Sequence, residues 1–256
     1  MRLIQAMWVA LSMYSKIPVP RTEWNEENMK YAICFFPVVG AVTGGIVYLA
    51  GECLLRFTSS NPLFLGVTLT LLPVLINGGI HLDGLMDTAD ARSSWGDREK
   101  KLAVLKDSHV GAFAVLSVCC YFLWSAAVCS EITEEILPTV SLVYVLSRAL
   151  SGLSVVTFPA AKEEGILKTF RGKAQKRTVR VVMVLWIAAA FSGMVWLGGS
   201  LALPAVACAA AAFAYYYRMS RREFGGITGD LAGFFLCVCE LLAVTGIVIA
   251  GGGLWN

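Results

Sequence analysis

Apolar residues in this chain come in long unbroken runs, not in the alternating or one-faced patterns of a water-soluble domain. Seven stretches approach the roughly 20 apolar residues a helix needs to cross a bilayer: 33–55, 62–80, 110–130, 136–158, 179–198, 201–217 and 231–252. Only Gly198-Gly199-Ser200 parts the fifth from the sixth, which predicts a tight hairpin or a re-entrant pair. A shorter apolar run, 3–13, stops before Pro18 and lacks the small-residue cleavage site of a secretory signal. It is too short to span and predicts an interfacial or re-entrant helix. Lipid leaves no solvent for unpaired backbone groups, so each spanning segment must satisfy its own hydrogen bonds. The pattern therefore predicts an all-α, polytopic membrane helix bundle of about seven spans plus an N-terminal interfacial helix. Residues 1–256 read as a single integral membrane domain without repeats or low-complexity linkers.

Composition agrees: 57% of the 256 residues are hydrophobic and 15% charged, against roughly 25% charged in soluble domains. A formal charge of +3 is too small to suggest nucleic acid. Neither Cys119-Cys120 nor Cys237-Val238-Cys239 has the second pair a zinc site requires, so the eight cysteines read as reduced core residues. The placement of charge says more than its sum. Residues 1–32, 81–109, 159–180 and 218–222 hold nineteen of the 21 lysines and arginines. Seven spans put all four segments on one side, which the positive-inside rule makes the cytoplasm. The expected protein is multi-pass in the cytoplasmic (inner) membrane, with its N-terminus and active site cytoplasmic and its C-terminus outside. Arg56 and the acidic Glu131, Glu134 and Glu135 fall on the far side.

Candidate chemistry concentrates after the second span, in Asn77-Gly78-Gly79-Ile80-His81-Leu82-Asp83-Gly84-Leu85-Met86-Asp87-Thr88-Ala89-Asp90. At helical periodicity Asp87 lies about 40° and Asp90 about −20° from Asp83, so the three carboxylates share one stripe. Like charges so placed repel, and a hard cation such as Mg²⁺ would neutralise them while leaving positions for substrate phosphates. A solvated acidic face matched by Arg92, Arg98 and Lys106 is the plain alternative. His81 lies about 160° round the helix and is no obvious fourth ligand; it suits the helix start or a phosphate. Asp107 and Ser108 precede the third span as candidate N-caps, and Asp107 also as a residue beside the metal.

Two further polar islands lie on the same side. Lys162-Glu163-Glu164-Gly165, with Lys168, Phe170 and Arg171-Gly172-Lys173, is either a topology-setting flank or a clamp for an anionic substrate. Gly225-Gly226-Ile227-Thr228-Gly229-Asp230 opens the last span, where glycines and free helix N–H groups suit a phosphate; Asp230 is otherwise an N-cap. Arg148 and Glu240 fall inside spans, where charge marks function. Glu240 reads as a deeper metal or network residue paired with Arg148. No nucleophile elbow, Walker loop, zinc pattern or dinucleotide fingerprint occurs, leaving metal-assisted displacement at phosphorus, which needs only carboxylates, cations and positioning.

These motifs resemble the cobalamin synthase family: His81-Leu82-Asp83-Gly84-x-x-Asp87-Thr88-Ala89-Asp90, Asp107-Ser108-x-x-Gly111, Glu163-Glu164-Gly165 and Gly225-Gly226-x-Thr228-Gly229-Asp230. Ile17-Pro18-Val19-Pro20 and Phe36-Pro37-Val38-Val39-Gly40 are similar to its N-terminal region. Ala91 stands where that family usually has glycine, and His109 where it usually has arginine. The resemblance implies an adenosylcobinamide-GDP ribazoletransferase, joining adenosylcobinamide-GDP to α-ribazole or α-ribazole 5′-phosphate with release of GMP and with Mg²⁺ as cofactor. It implies Asp83, Asp87, Asp90 and Asp230 as metal ligands, with Asp107 and His81 beside them in catalysis. Arg98, Lys106, His109, Lys162, Glu163, Glu164 and Arg171, with Gly225, Gly226, Thr228 and Gly229, are then expected to bind substrate. Assembly into an oligomer is compatible with this reading.

Two rivals remain at this level. A CDP-alcohol phosphotransferase also sets aspartates at helical spacing on a membrane face, and Asp87-x-x-Asp90-Ala91-Arg92 partly echoes its signature, without the second half. A transporter would explain intramembrane charge, but its sites lie mid-bilayer, within repeats this chain lacks.

Overall fold

A computed structural model describes residues 2–29, 31–57, 61–161 and 173–252. Among them the chain is helical, with one isolated bridge between Ala160 and Ile227 as its sole β feature. The helices, in order, are α1 (Arg2–Tyr14), α2 (Phe36–Phe57, entered through a 3₁₀ turn at Ala32–Phe35), α3 (Pro62–Asn77), α4 (Ile80–Ser93), α5 (Arg98–Val104), α6 (Ala112–Ser130), α7 (Leu137–Thr157), α8 (Lys173–Gly198), α9 (Ala202–Met219) and α10 (Gly229–Ala250).

Ala32–Arg56, α6, α7 and α10 are each long and apolar enough to cross a membrane. Helical residues also run without a gap from Lys176 to Phe224, but 49 residues would extend about 74 Å, more than twice the roughly 30 Å hydrocarbon core. The packing shows a reversal instead. Along α8, Met183, Gly193 and Gly198 meet Gly152, Leu142 and Thr139 of α7 in antiparallel order. At the far end of α9, Phe213 and Tyr217 each stand 4.8 Å, ring to ring, from Phe158. α8 and α9 thus form the hairpin expected at Gly198-Gly199-Ser200, with Gly199 in the left-handed region (φ 55°). With the broken α3–α4 pair, these account for all seven apolar stretches.

α7 and α10 form the centre. Small residues let α2 approach α7 closely: a Cβ on Gly40 would stand 2.3 Å from the Tyr144 carbonyl oxygen, the packing expected where lipid supplies no hydrophobic drive. Between α7 and α10 the fully buried Arg148 pairs with Glu240 through Nη1. Ser147 Oγ donates to the same carboxylate oxygen at 2.8 Å and accepts from Arg148 Nη1 at 3.0 Å. The two intramembrane charges therefore neutralise one another, and Glu240 joins a network with Arg148 as the sequence suggested.

Described parts of the basic segments meet at one end of the bundle. Arg98 of α5 reaches the Ala161 carbonyl and Arg92 of α4 reaches Glu223, while Arg56 stands with Glu52 and Glu134 at the other end. Residues 162–172, which carry Lys162, Glu163, Glu164 and Arg171, lie outside the described residues. α1 packs on the 3₁₀ turn and on α2. The N–H of Lys16, just beyond α1, donates to the Ile76 carbonyl at 2.7 Å.

Candidate functional site

The site begins at a break in the second apolar stretch. α3 carries Pro73 in its interior and ends at Gly78 and Gly79, both left-handed (φ 64° and 78°). Their N–H groups return to the carbonyls of Leu75 and Val74, closing the helix end. The chain leaves at 96° to α3, so residues 62–80 do not run on as one straight span. α4 bears three aspartates and Arg92 in fourteen residues and lies outside the spanning segments, at the basic end of the bundle.

α4 is seated on the start of α10 by two glycines. A Cβ on Gly84 would lie 2.5 Å from the Asp230 carbonyl oxygen, and one on Gly233 would lie 3.0 Å from the His81 carbonyl oxygen. The crossing brings Asp230 to the aspartate stripe, joining residues about 140 positions apart in sequence. Burial, then the neighbouring charges of Asp83, Asp230 and Asp90, push the Asp87 carboxyl up to about 6. Among the described residues no lysine or arginine pairs with Asp83, Asp87 or Asp230. Of the three cations expected to balance the stripe, Arg92 and Arg98 are engaged elsewhere and Lys106 is exposed. Arg92 (3.1 Å) and Lys101 (2.9 Å) both hold Glu223, and Arg98 Nη2 donates to the Ala161 carbonyl at 2.9 Å. Burial alone would raise Glu223, but those hydrogen bonds outweigh it and hold its carboxyl below the usual range.

Asp90 shares the stripe and has a second task. Its oxygens accept from Gly111 N at 2.6 Å and Ala114 N at 2.9 Å, capping α6, whose own N-cap glycine offers no side chain. The capping expected of Asp107 and Ser108 is thus corrected: α6 starts at Ala112, too far along for them to reach its free N–H groups. Asp107 instead accepts from the backbone N–H (3.0 Å) and the Nδ1 (2.6 Å) of His109 on an exposed turn, which lowers its pKa. Lys106 is exposed beside them.

The glycines after the π-type turn Ser220–Phe224 approach the chain's own backbone. Gly225 (φ 75°) lies under the Arg98 guanidinium, and a Cβ on Gly226 would meet the Ala160 carbonyl carbon at 2.3 Å. That contact is fixed by Ile227 N to the Pro159 carbonyl (2.8 Å) and Ala161 N to the Ile227 carbonyl (3.1 Å). Thr228, not Asp230, is the N-cap of α10, accepting from Leu231 N at 3.2 Å. Gly229 is the open member of the loop.

Beside Asp83 and Asp230 a cavity of about 230 Å³ runs into the bundle between α1, α2, α4, α7 and α10. His81 lines it, 9% exposed, with Nε2 bonded to nothing. Sequence reasoning missed this cavity because five separate segments build it. It also missed Glu223, whose one signal was an acid beside Arg221-Arg222 in a basic segment.

Three unneutralised carboxylates suit a hard divalent cation in donor chemistry. As placed, no three His, Cys, Asp or Glu side chains among the described residues stand close enough to hold one. Metal binding at this crossing therefore needs side-chain rotation about Asp83, Asp87 and Asp230.

Residues 6–248 match the family described as cobalamin-5-phosphate synthase. The chain is 42% identical over 252 residues to an adenosylcobinamide-GDP ribazoletransferase of Lachnoclostridium phytofermentans, covering 98% of this chain and 96% of that protein. It is 30% identical over 249 residues to the protein of that name from Clostridium perfringens strain 13 (96% and 97% covered), and 31% identical over 251 to that of Desulfitobacterium hafniense (95% and 96%). No solved structure matches.

Proposed function

The chain belongs to the cobalamin-5-phosphate synthase family, and we propose that it is an adenosylcobinamide-GDP ribazoletransferase working at the α4–α10 crossing. The observation that carries this reading is the group Asp83, Asp87 and Asp230, whose charges nothing described in the fold neutralises, in a chain aligned end to end with proteins of that name. A ribose hydroxyl oxygen of α-ribazole, or of its 5′-phosphate, forms a bond to the cobinamide-linked phosphorus. The bridging P–O bond breaks and its electron pair leaves with GMP.

Asp83, Asp87 and Asp230 are the residues that would hold Mg²⁺, which when bound offsets charge on the pyrophosphate. An Asp87 oxygen that the metal would leave free is assigned to receive the hydroxyl proton. Asp90 keeps the α4 stripe in register with the start of α6. Lys106 is assigned to the phosphates, and Lys162, Glu163, Glu164 and Arg171, outside the described residues, are assigned to substrate from sequence alone. Arg98 fixes the Ala161 backbone, and His109, held by Asp107, faces water. The basic end is assigned to the cytoplasm.

Purified protein in detergent, given adenosylcobinamide-GDP and α-ribazole, should release GMP stoichiometrically with the joined product and stop on addition of EDTA. Turnover undiminished by EDTA and restored by no divalent ion would remove Mg²⁺ from the reading. The CDP-alcohol phosphotransferase alternative is not favoured, and CMP release from a CDP-alcohol would be the result that revives it.

A further inference from the structure

The cavity beside the carboxylates has a lining that the overall reaction does not explain. Tyr14 and Phe36, rings 4.3 Å apart, form one wall, and Val155 stands on another. The surface is chiefly apolar. Its polar groups are few: Asp83 and Asp230, with Ser151, the Tyr14 hydroxyl and the His81 ring among the lining residues. A closed apolar pocket with a few convergent polar groups is the signature of a small-molecule site. At about 230 Å³ it lies below the usual range for drug-sized ligands, and a corrin macrocycle does not enter it.

We propose that this cavity seats the benzimidazole base of α-ribazole, with the ribose pointing out to Asp83 and Asp230. The proposal rests on the ribazoletransferase reading and adds which substrate goes where. The guanine of the other substrate is polar around its whole edge, and apolar walls would leave its donors and acceptors unpaired. A benzimidazole is flat and chiefly apolar, with a single free ring nitrogen left to satisfy. The Tyr14–Phe36 wall offers aromatic surface to its ring. Seating the base inside the bundle sets the ribose, and with it the attacking oxygen, at the carboxylate end.

The test is Val155→Phe, which fills the cavity without touching the carboxylates. With GMP release as readout, KM for α-ribazole should rise about tenfold or more, the scale of misfit in an apolar pocket, while KM for adenosylcobinamide-GDP stays put. The riboside of benzimidazole without its two methyl groups should recover most of the loss in the variant. Ala232→Val, on the α10 wall, carries the same expectation should the first variant fail to fold. Equal rises in both KM values, or an unchanged KM for α-ribazole, would overturn the proposal. Absence of GMP release by the wild-type protein would instead sink the transferase reading and this one with it.

Discussion

Two groups of charge gather in this molecule, one deep in the bundle and one open to water at its end, and they are treated in opposite ways. Arg148 and Glu240, deep between α7 and α10, are matched one to one and share Ser147. Asp83, Asp87 and Asp230, where α4 crosses α10, are all of one sign, and the nearby Arg92, Lys101 and Arg98 bond elsewhere. A buried charge that the fold itself completes is part of the fold. Carboxylates of one sign at an accessible crossing, left unpaired by a structure with cations to hand, keep their oxygens open to a ligand from solution. The sign balance distinguishes the two groups.

That contrast can be broken at either group. Asp87→Asn should cut GMP release by about 10²–10⁴-fold, the range for losing a proton acceptor, while the purified protein keeps its melting temperature. Near-normal turnover with Mg²⁺ present would sink the role given to the cluster. Arg148→Met should do the reverse: lower stability by about 3–5 kcal/mol because Glu240 is stranded in the bundle. Pairing it with Glu240→Leu should recover most of that in denaturant unfolding, and a double variant as unstable as the single would mean the pair does more than neutralise itself.

A third test uses pH. The Asp87 carboxyl sits near 6 in the folded protein against an ordinary 3.8, so the folded state binds the proton more tightly than the unfolded chain. Its contribution is present below pH 4 and is lost as pH rises through 6. Discounted for partial exposure, that loss is about 1 kcal/mol. In EDTA the melting temperature should therefore fall between pH 4 and 7, and Mg²⁺ should restore it near neutrality, where the carboxylate is free. A flat profile, with no response to Mg²⁺, would argue that these carboxylates are solvated independently. Of similar size, Asp90→Ala should cost about 1 kcal/mol, as for other lost caps, readable as faster amide exchange at Gly111 and Ala114.

How much of this the sequence disclosed depends on the range of the interaction. Hydropathy found the apolar stretches because bilayer thickness imposes their length locally, and Gly198-Gly199-Ser200 marked the hairpin for the same reason. Helical spacing placed Asp83, Asp87 and Asp90 on one stripe. Intramembrane charge had to be paired, so Arg148 and Glu240 found each other. The misses are contacts across many residues. Asp90 caps a helix whose start lies 21 positions on, displacing Asp107 and Ser108. Gly225 and Gly226 do meet something closely, but it is Arg98 and Ala160 of the same chain. The turn at Gly78 and Gly79 was written in the sequence as two glycines. Its angle is set by where α10 receives α4.

That last seating has a consequence for biosynthesis. Gly84 rests on the carbonyl of Asp230, a residue that leaves the ribosome about 150 positions later. At 5–20 residues per second, Asp83 and Asp87 wait about 10–30 s after their own synthesis before the helix that completes their surroundings exists. A nascent chain cut short anywhere before α10 thus lacks both Asp230 and the surface on which α4 is seated.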